Sequence, residues 1–378
     1  MHRREKERDQ LKRKLESGIS IHMPAPRRIG KTWTINRLAK DLRDVGWVVV
    51  EMDVEGMSTP QEFARDLCVR VEAQSSFKDR IKAHIFQRLG NLLGGEWGDK
   101  PLDAIGRVDP IEFAETLIAS LNEAGEKTAI IIDEISYFFL ALAEQSPRDA
   151  HAFAYKIRAI QQRYKNVRWL ITGSIGLDAV ARRYDLEGAF VDFETFLLAP
   201  FTEDEARSYM RDPSVQQQLN HVFDASDADF NGMFEELGWL APYYLKLVAN
   251  EVRPCTVGAP GAASVACSTD FEAAFDKLLQ PSRRSEFAVW REHIRKNLPV
   301  GDREIAELVL GSLSKASSGE TQDTLYAEVS RVRPSVALRQ LKEVLAILVN
   351  DGLLHKPTDR YSFRSGLVRR YWQEYEAQ

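Results

Sequence analysis

The sequence predicts an α/β fold organised on a parallel sheet, followed by a largely helical C-terminal half. Three observations predict it. Short β-branched or aliphatic segments alternate with stretches of helical periodicity. Two of those segments, 47–53 and 128–135, are apolar almost without interruption, as strands buried on both faces are. Each then ends in acid, Asp53 in one case and Asp133-Glu134 in the other, which is where open α/β sheets bind ligands.

The elements follow in order. Residues 3–15 read as a charged helix with few apolar positions, Leu11 and Leu15, that packs along one edge. Residues 19–24 are short and β-branched, a first strand; Ile35, Leu38, Ala39 and Leu42 mark a helix over 33–43, and 47–53 is the second strand. This is a β-α-β unit, whose crossover is right-handed almost without exception. Ser58-Thr59-Pro60-Gln61-Glu62 supplies a cap, an N-terminal proline and early acid for a helical pattern to Leu93, with Phe63, Leu67 and Val71 on one face. Residues 94–108 read as a polar, Gly-rich surface loop, and 109–124 as a helix carrying Ile111, Phe113, Leu117, Ile118 and Leu121. After the strand 128–135, a helix over 149–164 sets Ala152, Tyr155, Ile157, Ile160 and Tyr164 on a buried stripe. Residues 168–174 form a fourth strand with a small polar tip, and 196–200 a fifth, stopped by Pro200.

Thr202-Glu203-Asp204-Glu205 opens the helical half with a capping box. Residues 236–245 set Gly238, Pro242 and several aromatic rings beside a helix start, either a core corner or one wall of an adenine pocket. Residues 253–269, rich in Pro, Gly, Ala and Ser, read as a linker. Helices over 302–313, 321–330 and 335–350 then precede a hairpin over 353–363 that turns at Pro357-Thr358-Asp359. Three helices and a hairpin describe a winged helix. Its recognition helix carries Arg339 and Lys342 outward and Leu338, Leu341, Leu345 and Leu348 inward.

With 378 residues and 44% hydrophobic content, the chain can hold two or three domains, drawn at 1–200, 201–280 and 281–378. No apolar run approaches the roughly 18 residues that span a bilayer, and the charged stretch 2–14 is no secretion signal, so no membrane is expected as a partner. Cys68, Cys255 and Cys267 show no C-x-x-C spacing and leave one over, which suggests neither a zinc nor a disulfide framework and fits a reducing cytoplasm. The net charge of −5 argues against coating nucleic acid by bulk attraction, although the segment after Pro281 carries about three more basic than acidic residues.

Three places carry chemistry. Ala25-Pro26-Arg27-Arg28-Ile29-Gly30-Lys31-Thr32, followed by Trp33, has the layout of a phosphate-binding loop. Its backbone N–H groups can wrap anionic oxygens, Lys31 can reach the outer phosphates, and the Thr32 hydroxyl can ligate Mg²⁺. Ala25 stands where the G-x-x-x-x-G-K-[ST] pattern asks for glycine, a departure of one methyl. Asp133 would hold Mg²⁺ through water, and Glu134 would polarise an attacking water as general base. Thr172 or Ser174, at the tip of the fourth strand, could bond the terminal phosphate or that water, or Ser174 could simply cap the next helix. Arg182 and Arg183 either reach a phosphate, in cis or across an assembly, or form a solvated pair.

In this order and spacing, Pro26-Arg27-Arg28-Ile29-Gly30-Lys31-Thr32, Ile132-Asp133-Glu134 and Thr172-Gly173-Ser174 resemble the prokaryotic ATPases of the AAA+/STAND assemblage. More narrowly they resemble the archaeal-type ATPases, whose loop reads Pro-Arg-Arg-x-Gly-Lys-Thr. The resemblance begins at Arg4-Glu5, similar to a Gly-Arg-Glu box with Arg3 in place of glycine, and runs to about Ala249. Gly238-Trp239-Leu240-Ala241-Pro242 is similar to part of that family's Gly-Gly-x-Pro segment near adenine, and the winged-helix tail to its C-terminus. The resemblance implies a P-loop NTPase with strand order 5-1-4-3-2, a helical lid, and ATP with Mg²⁺ as ligands.

The expected function is ATP binding with slow Mg²⁺-dependent hydrolysis, used as a conformational switch or to drive assembly. The expected partners are ATP or ADP and a protein partner or a second copy. Two alternatives stay open. One is a DNA-binding regulator or mobile-element or defence component in which ATP is structural and double-stranded DNA meets Arg339 and Lys342; the other is a scaffold whose effector docks on the winged helix.

Overall fold

A computed structural model describes residues 4–73, 87–88, 90–91, 108–173, 176–255, 264–298 and 300–376. The chain divides into two compact units. One is built from Arg4–Ala25 and Lys31–Leu198; the other is Ala199–Gln378 with the short loop stretch Pro26–Gly30.

The first unit is a five-stranded parallel sheet. Its strands are β1 (Ser20–Pro24), β2 (Val48–Asp53), β3 (Thr128–Asp133), β4 (Val167–Gly173) and β5 (Phe193–Thr195), in the order β2-β3-β4-β1-β5. This is the order that the resemblance implied, read from the other edge. The register aligns Met23 with Thr172, Ile132 with Ile171 and Asp53 with Asp133, so the polar residues ending β2, β3 and β4 share the carboxyl edge with the end of β1. The chain leaves β1 for the far edge at β2 and returns to β5 on its other side, which makes the end of β1 a topological switch point. Every residue of β3 is buried, as its unbroken aliphatic run requires. Phe63, Phe138 and Phe153 meet at centroid distances of 5.1 to 5.6 Å within the core.

Three expectations need correction here. The fifth strand is Phe193–Thr195, not 196–200; only the Phe196 N–H still reaches the β1 partner, bonding His22 O at 2.8 Å. The helix Pro147–Arg163 starts earlier than expected, capped by Ser146, and its buried stripe is Ala150, Phe153, Ala154, Ile157 and Ile160, leaving Ala152 and Tyr155 exposed. Strand β3 ends at Asp133, and Ile135 already opens a helix, Ile135–Gln145. The helix Pro60–Glu72 carries the capping box of Thr59 and Glu62; most of the pattern beyond it and, save Val108, the loop expected over 94–108 lie outside the described residues.

The second unit is mainly helical. Thr202 and Glu205 cap the helix Glu203–Arg211 reciprocally, and the helices Asp227–Leu237, Pro242–Glu251, Ser268–Leu278 and Ser285–Asn297 follow. The stretch expected as a linker ends in a strand, β7 (Ser264–Ala266), parallel to β6 (Phe223–Ala225), and then in a helix from Ser268. The helices Val300–Lys315, Gln322–Val332 and Leu338–Asn350 precede an antiparallel hairpin of β9 (Leu354–His355) and β10 (Arg360–Phe363). A strand unread in the sequence, β8 (Glu320–Thr321), pairs with the other side of β10. Leu341, Leu345 and Leu348 are buried as expected, but Leu338 is 37% exposed because it is the first residue of its helix rather than an interior one. Among the described residues no helix is long and apolar enough to cross a membrane.

Candidate nucleotide-binding site

Ala25 continues β1 by one residue: its N–H donates to Gly173 O of β4 at 3.4 Å, and its methyl is buried. The departure from glycine is thus absorbed by packing. The backbone then passes through two left-handed residues, Arg28 (φ 71) and Gly30 (φ 92). A Cβ on Gly30 would stand 3.8 Å from Pro242 Cγ, an ordinary contact, so the dihedral rather than space asks for glycine. Arg28 holds the same backbone region with a side chain, at about 1 kcal/mol, and its guanidinium lies 3.9 Å from the centroid of the Tyr243 ring. Left-handed residues so close together curl the backbone into the kind of concavity that gathers N–H groups toward an anion. The helix Lys31–Asp44 begins at once and adds the positive end of its dipole.

Within the sheet unit, Lys31 Nζ lies 2.5 Å from Glu134 Oε1 and 2.9 Å from Asp133 Oδ1. Its side chain is 7% exposed, against 10% for Asp133 and 9% for Glu134. The Thr32 hydroxyl donates to Asp133 Oδ2 at 3.0 Å, the Thr172 hydroxyl donates to Asp133 Oδ1, and the Glu134 N–H donates to the same Oδ1 at 3.0 Å. Glu134 is also left-handed (φ 58, ψ 34), the residue that turns the chain from β3 into the helix Ile135–Gln145. Burial pushes the Asp133 carboxyl up, but the Lys31 charge and the hydrogen bonds from Thr172, Lys31 and Thr32 outweigh it and hold the group below the usual carboxylate range.

Two carboxylates against one ammonium leave this buried cluster with one negative charge in excess. Thr32 and Asp133 offer hard oxygens side by side, a pair that suits Mg²⁺ when phosphate and water complete the octahedron. Among the described residues no cluster of three or more His, Cys, Asp and Glu could hold a metal without such help. The residues therefore fit a cation that arrives with phosphate.

The structure brings Lys31, Thr32, Asp133, Glu134 and Thr172 together. Ile29 is buried and Pro26, Arg27 and Trp33 are half-buried, with the Arg37 guanidinium 5.7 Å from the Trp33 ring. Ser174 lies outside the described residues. Arg182 is 75% exposed beside Glu187, and Arg183 is exposed near the Tyr184 ring; neither pairs with the Lys31 cluster among the described residues. Arg339 is 89% exposed and bridged to Glu343 at 2.9 Å, and Lys342 is exposed. Sequence reasoning missed Tyr243 as the partner of Arg28, and His22. The latter is buried on β1 with Nε2 lacking a hydrogen-bond partner among the described residues; burial pushes its imidazole down against the charge of Asp178. A contact between residues so far apart in the chain leaves no local signal.

The chain matches no family model and no curated protein. Among solved structures it is similar to a Walker-type ATPase of Pyrococcus abyssi, with 15% identity, a TM-score of 0.65, and 98% of this chain and 95% of that one covered. It is also similar to the ORC2 protein of Aeropyrum pernix in its ADPNP and ADP complexes, with 12% identity, a TM-score of 0.54, and 99% and 95% coverage. At such identities the likeness concerns architecture, and it agrees with the strand order and with the loop that follows β1. The chain has the fold of the archaeal AAA+ P-loop ATPases.

Proposed function

We propose that the protein binds ATP with Mg²⁺ and hydrolyses it slowly, acting as a nucleotide-driven conformational switch or assembly ATPase in a reducing cytoplasm. The observation that carries this reading is the buried engagement of Lys31 with Asp133 and Glu134, at the start of a helix that follows a doubly left-handed loop. On this reading the N–H groups of 27–32 and Lys31 hold the phosphates, and Thr32 and Asp133 hold the metal. Mg²⁺ when bound neutralises charge on the phosphate oxygens. Glu134 accepts a proton from the attacking water once Lys31 has left it for phosphate, while Thr172 keeps Asp133 oriented. Pro242 and Trp33 are each assigned to nucleotide binding, Ser174 would sense the terminal phosphate, and Arg182 or Arg183 would act as a finger, most simply toward a second copy. The domain division at 1–200, 201–280 and 281–378, with a winged helix last, belongs to the same proposal.

Glu134→Gln tests it. The variant should keep ATP affinity and lose turnover by about 10²-fold or more; turnover at the native rate would remove Glu134 as the base. Lys31→Ala should abolish nucleotide affinity.

A second reading makes ATP a structural ligand of a DNA-binding regulator. It is favoured by the exposure of Arg339 and Lys342 on the helix Leu338–Asn350, just before the β9–β10 hairpin. It expects duplex affinity that falls steeply with salt and with either residue changed to alanine. No duplex binding at low salt would leave a protein partner as the ligand of that face.

A further inference from the structure

Arg28 departs from its neighbours in the loop. It keeps a left-handed backbone without being glycine, and among the described residues its guanidinium makes no ion pair with a carboxylate. It stacks instead on Tyr243, in the first turn of the helix Pro242–Glu251. The Tyr243 hydroxyl donates to Glu286 Oε2 at 2.7 Å, on the helix Ser285–Asn297. Burial, joined by the bond to Glu286, pushes that hydroxyl up to about 12, so it stays a donor near neutral pH. The next residue, Tyr244, is buried, and its hydroxyl accepts from Trp290 Nε1 at 2.9 Å, giving a second tie between the same two helices. Pro26 is seated as tightly: a Cβ on Gly352 would come within 2.5 Å of Pro26 Cβ and 3.2 Å of Trp239 Cη2.

We propose that Arg28 is a latch with two alternative partners, the Tyr243 ring without nucleotide and phosphate oxygens with it, and that its departure from Tyr243 loosens the helix Ser285–Asn297. The inference rests on the proposed binding of nucleotide at this loop and names how that binding is communicated. A guanidinium fork matches phosphate oxygens in two parallel charge-assisted hydrogen bonds, which a ring face cannot offer. The stack is therefore strong enough to compete and weak enough to lose. Tyr243 touches no substrate in this scheme; it is a positioning residue that withholds Arg28 and holds Glu286.

The test measures affinity for a non-hydrolysable ATP analogue with Mg²⁺ on the full chain, together with amide hydrogen exchange over Ser285–Asn297. Tyr243→Leu removes the competing ring and should raise affinity about fivefold, while Arg28→Ala should lower it about tenfold. With Arg28→Ala in place, Tyr243→Leu should change nothing further. Tyr243→Phe keeps the ring and drops the hydroxyl. It should leave affinity unchanged, yet exchange over the helix should already be raised without nucleotide and rise no further with it. A purely structural tyrosine would lower affinity in every variant. The latch is overturned if Tyr243→Leu binds more weakly than the native chain, if the two substitutions act independently, or if Tyr243→Phe retains the native exchange response. A native chain that binds no nucleotide overturns the functional reading and the release together; native binding with independent effects overturns the latch alone.

Discussion

Replacing Lys31 by methionine tests what holds the acidic end of β3 together. The side chains of Lys31, Asp133 and Glu134 are 7%, 10% and 9% exposed, so water screens their charges little. Methionine keeps the length and the helix preference of lysine, but it leaves two buried carboxylates side by side. Among the described residues, Asp133 would retain the donors Thr32, Thr172 and the Glu134 N–H. Breaking a buried ion pair from one side costs about 3 to 5 kcal/mol, so the nucleotide-free variant should lose about 3 kcal/mol toward urea. Adding Asp133→Asn and Glu134→Gln removes the stranded charges and should recover most of that loss. Millimolar Mg²⁺ should rescue the single variant in part and the triple variant not at all. Denaturation can be followed on Trp169, buried in the same unit. If the triple variant is no more stable than the single one, stranded charge is not the cause and the reasoning fails.

Three further outcomes are expected. Gly352→Ala places a Cβ 2.5 Å from Pro26 Cβ at a φ of +86, and should destabilise by about 2 kcal/mol or more in the same assay; Gly46→Ala, with open space and a φ of +86, should cost about 1 kcal/mol. Burial pushes the Glu251 carboxyl up, but Lys277, Arg283 and Arg253 hold it below the usual range, so its stabilisation is present above the unfolded value of about 4.3 and lost as pH falls through the folded one. Glu251→Gln should accordingly cost about 2 kcal/mol at pH 7 and progressively less below pH 4 in urea titrations. Finally, ATP affinity should fall about tenfold or more when Mg²⁺ is chelated, and Thr32→Val should remove most of that difference; equal affinities with and without the metal would contradict the assignment of Thr32.

The sheet and the centre of the site are legible in the sequence because their signals are local. Ile130, Ile131 and Ile132 form an unbroken β-branched run that suits a strand buried on both faces, and Asp133-Glu134 follows it directly. Gly30-Lys31-Thr32 lies at the junction of two periodicities. What escaped reading lacks a local signal. β5 is three residues long and sits at the sheet edge, paired with β1 alone, while the more apolar stretch after it alternates, with Phe196 and Leu198 buried and Leu197 exposed, but carries no ladder beyond Phe196. The helix Ile135–Gln145 is apolar on nearly all sides, Ile135, Phe138, Phe139, Leu140, Leu142 and Ala143 being buried, so no amphipathic stripe marks it. β7 is hidden at the end of a stretch with linker composition. The contact of Arg28 with Tyr243 is purely tertiary, and an arginine in a loop gives no hint of the ring that receives it.

The engagement of Lys31 also bears on the order of events under the proposed function. Under that reading, a Lys31 ammonium that turns from Glu134 and Asp133 toward phosphate would leave two carboxylates with less counter-charge. A cation beside Thr32 and Asp133 restores that charge where it is lost, which makes metal and nucleotide mutually dependent rather than additive. Glu134 gains most from the exchange. Its Oε1 accepts from Lys31 here, and under the proposed function a Lys31 that moved to phosphate would leave that oxygen able to accept a proton. If Glu134 is the base, the displacement that admits the nucleotide would also free it.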